Sequence, residues 1–333
     1  MILLDSLHIN NSGGKVLLCY LVEELEKSDL NVFYLFDKRI ENDFKYIPAN
    51  RKLFLESTFL NRVKFYIKNK DKFVKIFCFA NIPPPIKLSK AEVFTYFHNV
   101  SLFYQPKTYT LIEKIQKRVK KTIIQVVSKN TNYYVVQTMT VKKLLIHNIR
   151  FKSQNILIHP FFKQNNFKDN LPKDKYSFVY VSNGNKHKNH LVLFEAWKIL
   201  AERGHYPELN VTITDNFYEL IDIIGKLSNH QVKIINHGFC DPENLYSKSR
   251  FSIYPSIMES LGLGLVESCQ ANCFVIATDL PYVSDVLKPT MSFDPNNSNS
   301  IADSVIELLK NENLKESKLI ISNEIDEIIK LFK

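Results

Sequence analysis

The sequence contains no apolar run of the roughly 18 to 20 residues that a membrane-spanning helix needs. Its best runs are shorter and are broken by Lys, Asn or Asp. A chain without such a run is expected to be soluble or peripheral. Paired cysteines are missing too: Cys19, Cys78, Cys240, Cys269 and Cys273 are scattered among apolar neighbours without metal-ligand spacing. That pattern argues against a disulfide framework or a zinc module and for reduced cytosolic thiols. Neither a basic n-region nor a small-residue cleavage site accompanies the strand-like segment that starts at Met1, so the chain is expected to stay in the cytoplasm. Repeats of solenoid period are absent, and so are nucleic-acid-binding motifs. Glycine is scarce, at 8 of 333 residues, while Lys, Asn and Ile are abundant. A compositional bias of the source genome accounts for that richness better than for the way the charge is distributed.

What is present is enough apolar material, 45% of the residues, to fill two α/β cores. The net charge of +10 is segregated. Residues 1–175 carry 30 Lys and Arg against 14 Asp and Glu, a net of +16, and residues 176–333 carry 14 against 20, a net of −6. A basic first half calls for an anionic partner: a membrane face, a phospholipid-linked substrate or a nucleic acid.

Both halves alternate short apolar runs with helical periodicity, the rhythm of a mostly parallel sheet. In the first half the expected strands are 2–9, 31–36, 74–79, 93–97 and 133–137, with helices at 16–25, 109–127 and 141–149. The second half is expected to place strands at 178–181, 210–214, 232–236, 251–254 and 274–277, with helices at 190–203 and 263–271. The aperiodic stretch from Phe161 to Lys175, with Pro172, reads as the linker. The domains expected are therefore 1–165 and 166–310. Segments 301–310 and 314–332 read as two amphipathic helices, so 311–333 is expected to be a terminal helix able to brace the first domain.

The segment with the most chemical content runs from Tyr254 to Val283. A strand ends at Tyr254, a loop carries Pro255, Ser256 and Glu259, Gly262 and Gly264 open a helix, and Glu267 stands eight positions after Glu259. Glycines let a backbone approach a diphosphate, and free N–H groups at a helix start meet negative charge. A carboxylate further into the helix can accept both hydroxyls of a ribose. Glu259-x7-Glu267, followed by an apolar strand and the Asp279-Leu280-Pro281 turn, resembles the signature of retaining glycosyltransferase family 4, of the kind found in bacterial surface-polysaccharide synthesis.

That resemblance implies the GT-B architecture: two Rossmann-like α/β domains with parallel sheets facing across a cleft. It also implies that Glu259 lies at the donor sugar hydroxyls, that Glu267 holds the ribose, and that Leu261, Gly262 and Leu263 contact sugar and phosphate through the backbone. Other segments match the same family. Gly13 and Gly14, within Asn11-Ser12-Gly13-Gly14, resemble its glycine-rich loop, and His98 resembles its interdomain histidine, which reaches the donor sugar. Lys188, with Asn189, resembles the lysine of the phosphate site. The family often has an arginine six positions earlier, where this chain has Ser182, and Lys186 is the available substitute. His237-Gly238-Phe239 resembles the base-binding turn, with Phe239 as the donor contact.

The resemblance implies transfer of a glycosyl group from a nucleoside diphosphate sugar to an acceptor hydroxyl, with retention of configuration, in O-antigen, lipopolysaccharide or capsule synthesis. No Asp-x-Asp signature occurs in the chain. Neither a metal nor another cofactor is expected, and helix dipoles and lysines would neutralise the diphosphate. The expected partners are the nucleotide sugar, a lipid-linked glycan acceptor and the anionic inner face of the cytoplasmic membrane; nucleic acid is not expected. For the membrane, two segments stand out: 61–77, where Lys and Arg interleave with Phe, Tyr and Ile, and the cationic face 113–121. A catalytically silent GT-B subunit and a basic nucleic-acid binder are the alternatives at this stage.

Overall fold

The computed structural model describes residues 1–103, 109–149, 151–165, 167 and 172–333. Residues 166 and 168–171 of the expected linker lie outside the described residues. The chain divides into two compact units, one formed by Met1–Lys163 with Ser322–Lys333 and one by Gln164–Ile321.

The first unit is built on seven parallel strands: β1 (Ile2–Asp5), β2 (Val32–Asp37), β3 (Lys52–Leu55), β4 (Lys75–Cys78), β5 (Glu92–Phe97), β6 (Tyr133–Val136) and β7 (Ile156–Ile158). They are ordered β3-β2-β1-β4-β5-β6-β7. Every residue of β1 and β2 is buried, as befits strands covered on both faces. Its helices are α1 (Ser12–Glu26), α2 (Phe59–Lys68), α3 (Leu111–Val127) and α4 (Met139–Ile149). Local chemistry sets their starts: the Thr58 hydroxyl accepts the Asn61 amide at α2, and Thr110 and Glu113 form a reciprocal capping box at α3.

The second unit repeats this plan with β8 (Asp174–Tyr180), β9 (Glu208–Val211), β10 (Ile234–Asn236), β11 (Ser249–Tyr254) and β12 (Phe274–Thr278). A hairpin-like pair, β13 (Leu287–Lys288) and β15 (Lys318–Leu319), flanks β14 (Met291–Phe293) in sequence. The six-stranded parallel sheet runs β10-β9-β8-β11-β12-β14. In chain order its helices are α5 (His190–Glu202), α6 (Tyr218–Ser228), α7 (Glu243–Lys248), α8 (Leu263–Gln270), α9 (Pro281–Val286) and α10 (Ser298–Lys310). Each sheet reverses its winding beside its first strand, between β1 and β4 in one unit and between β8 and β11 in the other. Open α/β sheets bind ligands at such a point, outside the carboxyl ends of the strands.

Two expectations change. The segment 314–332 is not one helix: β15 pairs antiparallel with β13, the Ser317 hydroxyl accepts the Val275 and Thr290 amides, and only α11 (Ile325–Lys330) is helical. The last residues pack within the first unit. There Phe332 stacks on Phe77 at 4.9 Å, Lys75 Nζ donates to the Leu331 carbonyl at 3.3 Å, and His159 Nδ1 lies 2.7 Å from Glu324 Oε2. The second change concerns 61–77. Its aromatics Phe65, Tyr66, Phe73 and Phe77 are core residues, so they cannot lie on a lipid surface. Arg62 is buried as well, donating through Nε and Nη2 to Asp5 Oδ2 at 2.9 and 2.8 Å, while Tyr66 donates to the same oxygen at 2.7 Å. A buried guanidinium needs such partners.

Candidate active site

In the second unit, the loops after β8 and β11 meet at the switch point. The first carries a 3₁₀ turn at Lys186–Lys188 and leads into α5; the second runs through Glu259 to α8. Backbone hydrogen bonding joins them, since the Ile257 amide donates to the His187 carbonyl at 2.8 Å. Beneath the joint, Tyr180 donates its hydroxyl to the Lys188 carbonyl at 2.9 Å and lies 2.8 Å from the Ser256 hydroxyl. Tyr282 donates to the Ser256 carbonyl at 2.6 Å. Asn189, in the left-handed region at φ 62°, donates through Nδ2 to the carbonyls of Pro255 and Pro295. These buried bonds hold both loops in one geometry.

Across that joint, Lys188 Nζ stands 2.6 Å from Glu259 Oε1, with both side chains largely buried. Gly262, at φ 74°, caps α8 in a conformation that an L side chain rarely adopts. Gly264 is confined by its neighbours: a Cβ there would lie 2.9 Å from Tyr254 Cε2 and 3.5 Å from the Val181 carbonyl oxygen. The first turn of α8 carries no acidic residue to compete for its amides. On the same helix Glu267 accepts from the Tyr246 hydroxyl at 3.3 Å, and burial holds its pKa above the usual carboxylate range against that hydrogen bond. Leu261 buries its side chain, so only its backbone can face a ligand.

Ser182, where the resemblance leads one to expect an arginine, places its hydroxyl 3.2 Å from His190 Nε2. Burial, aided by the charge of Lys188, lowers the pKa of His190 to about 3, so its ring is neutral at neutral pH. His190 Nδ1 has no hydrogen-bond partner among the described residues. Lys186 is exposed on the 3₁₀ turn. The fold thus brings Lys186, Lys188, Glu259, Leu261, Gly262, Leu263 and Glu267 to one pair of loops and the helix they open. Phe239 stands apart, 94% exposed after β10, at the sheet edge two strands from β8.

The remaining candidates lie in the first unit. Gly13 and Gly14 are in the opening turn of α1, and a Cβ on Gly14 would lie 3.0 Å from His98 Cε1. His98 sits on Phe79 and Tyr96, with Nε2 3.1 Å from the Phe79 carbonyl. A carbonyl only accepts, so Nε2 carries the proton. Burial lowers the His98 pKa to about 4, outweighing the hydrogen bond to Phe79.

Some contributors were not among the sequence candidates. Asn81, at φ 67°, accepts the amides of His98 and Asn99 through Oδ1 and so shapes the turn that presents the histidine. Ser256, Tyr180 and Tyr282 hold the Lys188 loop against the Glu259 loop. Asn189, by contrast, was named with Lys188 in the sequence because it stands directly ahead of an apolar helix; Asn81 and the tyrosines carried no such signal, because their partners are distant in sequence.

Two parallel α/β sheets wound in the same order, with a glycine-bearing and acid-free helix start at the switch point of the second, match the GT-B fold. Residues 161–324, just under half of the chain, match the family described as Glycosyl transferases group 1. The chain is 24% identical over 271 residues to the capsular polysaccharide biosynthesis glycosyltransferase CapH of Staphylococcus aureus, covering 79% of this chain and 71% of CapH. It is 25% identical over 197 residues to the O-antigen chain mannosyltransferase RfbU of Salmonella typhimurium strain LT2, covering 57% of this chain and about half, 53%, of RfbU. Among solved structures it resembles Anabaena Alr3699/HepE in complex with UDP and glucose, with a TM-score of 0.66 at 11% identity, over 93% of this chain and 89% of that one. No helix among the described residues is long and apolar enough to cross a membrane.

Proposed function

We propose that the protein transfers a glycosyl group from a nucleoside diphosphate sugar to a hydroxyl of a lipid-linked glycan acceptor, with retention at the anomeric carbon and without a metal ion. The reaction would serve capsule, O-antigen or lipopolysaccharide synthesis at the inner face of the cytoplasmic membrane. The observation that carries this reading is the contact between Lys188 and Glu259 beside the acid-free start of α8. A cation, a set of amides and a carboxylate within one pair of loops suit a donor whose diphosphate and sugar need opposite treatment.

In this reading the diphosphate lies at the α8 amides and Lys188, which stabilise the charge that grows on the leaving oxygen. Glu259 accepts hydrogen bonds from the sugar hydroxyls, and Glu267 accepts those of the ribose. The bond from the anomeric carbon to the diphosphate breaks, the acceptor oxygen adds on the same face, and its proton passes to the departing phosphate. A protein base is then unnecessary. His98, neutral and with its Nδ1 lone pair, serves as an acceptor for a donor sugar hydroxyl. Lys186 takes the part of the absent arginine, and Phe239 is assigned to the nucleobase by resemblance alone.

The test is a thermal-shift series with UDP, GDP, ADP, CMP and their sugar conjugates, starting with UDP because HepE binds it. Stabilisation by one nucleoside diphosphate that is lost in Glu267→Ala supports the donor site, since a ligand of the folded state raises its stability. A folded protein indifferent to every nucleotide overturns it. Anomer analysis of the product decides retention, and turnover in a chelator decides metal independence.

A further inference from the structure

The membrane-associated part of the proposed function needs a docking element, and the sequence candidate 61–77 does not supply it, because its aromatics are buried. Helix α3 has the opposite construction. Only Ile124 and Val127 are buried in its seventeen residues. Leu111 is 74% and Ile112 68% exposed, and Ile115, Val119, Ile123 and Val126 are between 41% and 59% exposed. Positions 111, 115, 119, 123 and 126 follow one another at intervals of four, four, four and three. At 100° per residue, these and 112 form one continuous stripe on the side away from Ile124.

The rest of the helix holds that stripe outward. Its start is set by the Thr110 and Glu113 capping box, Lys117 Nζ donates to the Ser101 carbonyl, Lys121 Nζ donates to Asn148 Oδ1 at 2.9 Å, and Gln125 Nε2 donates to the Asn148 carbonyl at 2.8 Å. Lys114 and Arg118 border the stripe on one side and Lys120 on the other. Within 111–127 there are five Lys or Arg and one Glu, a net of +4.

We infer that α3 is a membrane-docking helix, with its apolar stripe seated at the headgroup boundary of an anionic bilayer and its cations on the lipid phosphates. The inference rests on the membrane-associated reading above. Charge decides the occupant. A second copy of the chain would bring +4 against +4, whereas an anionic lipid surface satisfies the stripe and its borders together. Lys and Arg at these borders can lay their methylenes along the apolar side chains and keep their charges at the headgroups. Six large apolar side chains along one exposed helix face are also more than scattered surface hydrophobicity supplies.

The experiment uses the full chain and extruded vesicles of phosphatidylcholine mixed with phosphatidylglycerol, or of phosphatidylcholine alone, read by co-sedimentation. The wild type is expected to partition onto the anionic vesicles. Ile115→Asn/Val119→Asn, at exposed positions and expected to melt close to the wild type, is expected to weaken that partition at least tenfold. In a second measurement, Val119→Trp is expected to be quenched by brominated acyl chains. The native Trp197 is buried in the second unit and serves as the internal control.

Unchanged partition of the double variant overturns the assignment to α3 and leaves the membrane reading standing. Absence of wild-type binding overturns both. A dimer that the double variant converts to monomer, without any vesicle binding, assigns the stripe to a second copy and overturns the inference. Nucleotide-dependent melting of the same preparations reports separately on the donor site.

Discussion

Lys188 Nζ and Glu259 Oε1 are 2.6 Å apart although 71 residues separate them in sequence. The pair joins the two loops at the switch point of the second sheet, so its charges are fixed before any ligand arrives. Preorganised charges lose little in reorganisation when charge develops on a substrate. Lys188→Ala is expected to lower kcat about 100- to 1000-fold in an assay of nucleotide release from the sugar nucleotide. Glu259→Gln keeps the shape and removes the charge, so its loss should fall in kcat more than in nucleotide affinity. Equal losses in both would make the pair a structural brace only.

The glycines separate by what surrounds them. At Gly264, an added methyl meets Tyr254 and the Val181 carbonyl, so Gly264→Ala is expected to cost about 1–3 kcal/mol, by analogy with overpacking, and to weaken nucleotide binding. Gly225 lies inside α6 with nothing within 4 Å of its would-be Cβ. Gly225→Ala should stabilise the protein by about 0.5–1 kcal/mol through helix propensity. Denaturant unfolding of the two variants checks both signs.

Acid should destabilise the fold through its buried histidines. His98 and His190 have folded-state pKa values lowered to about 4 and about 3 from an ordinary 6.5. The unfolded chain therefore binds protons at these rings first, and their contribution to stability, complete above pH 6.5, is lost as the pH falls towards those values. His190→Leu is expected to flatten the melting profile between pH 6.5 and 4; an unchanged slope would assign the acid sensitivity elsewhere.

Glu267 has the reverse sign. Its folded-state pKa is raised by burial, so the carboxylate costs stability above that pKa, and the cost is relieved as the pH falls through it. Glu267→Gln should raise the melting temperature at neutral pH and weaken nucleotide binding in the same sample. For the wild type, affinity for the nucleotide should begin to fall at a higher pH than an ordinary glutamate would set. Titration calorimetry between pH 5 and 8 measures it.

The Asp5 and Arg62 pair is buried at 0% and 2% exposure. Asp5→Leu alone leaves the guanidinium without its anion and is expected to cost about 3–5 kcal/mol, whereas Asp5→Leu/Arg62→Met should recover much of that loss. Chemical denaturation of the single and double variants reports the difference.

Strands buried on both faces write themselves as apolar runs, and the strands expected at 2–9, 31–36, 251–254 and 274–277 were readable for that reason, although the first ends at Asp5. The glycines that open α8 and the two glutamates eight positions apart were readable because their chemistry is local to one strand, one loop and one helix. Half-buried edge strands such as β3 and the short β7 left no such run. The periodicity of 314–332 suggested a helix that the pairing of β15 with β13 overrode.

By itself, the sequence determined the alternation of strands and helices, the segregation of charge and the glycine-bearing helix start, all of which depend on neighbours a few residues apart. Only the tertiary structure decided which basic segment keeps its apolar side chains in the core and which exposes them, and that Lys188 meets Glu259. It likewise decided that Ser182 pairs with a neutral His190 and that Asn81 presents His98. These outcomes depend on burial and on hydrogen bonds between residues far apart in sequence, which exist only once parallel strands have brought their carboxyl ends to one edge of a sheet.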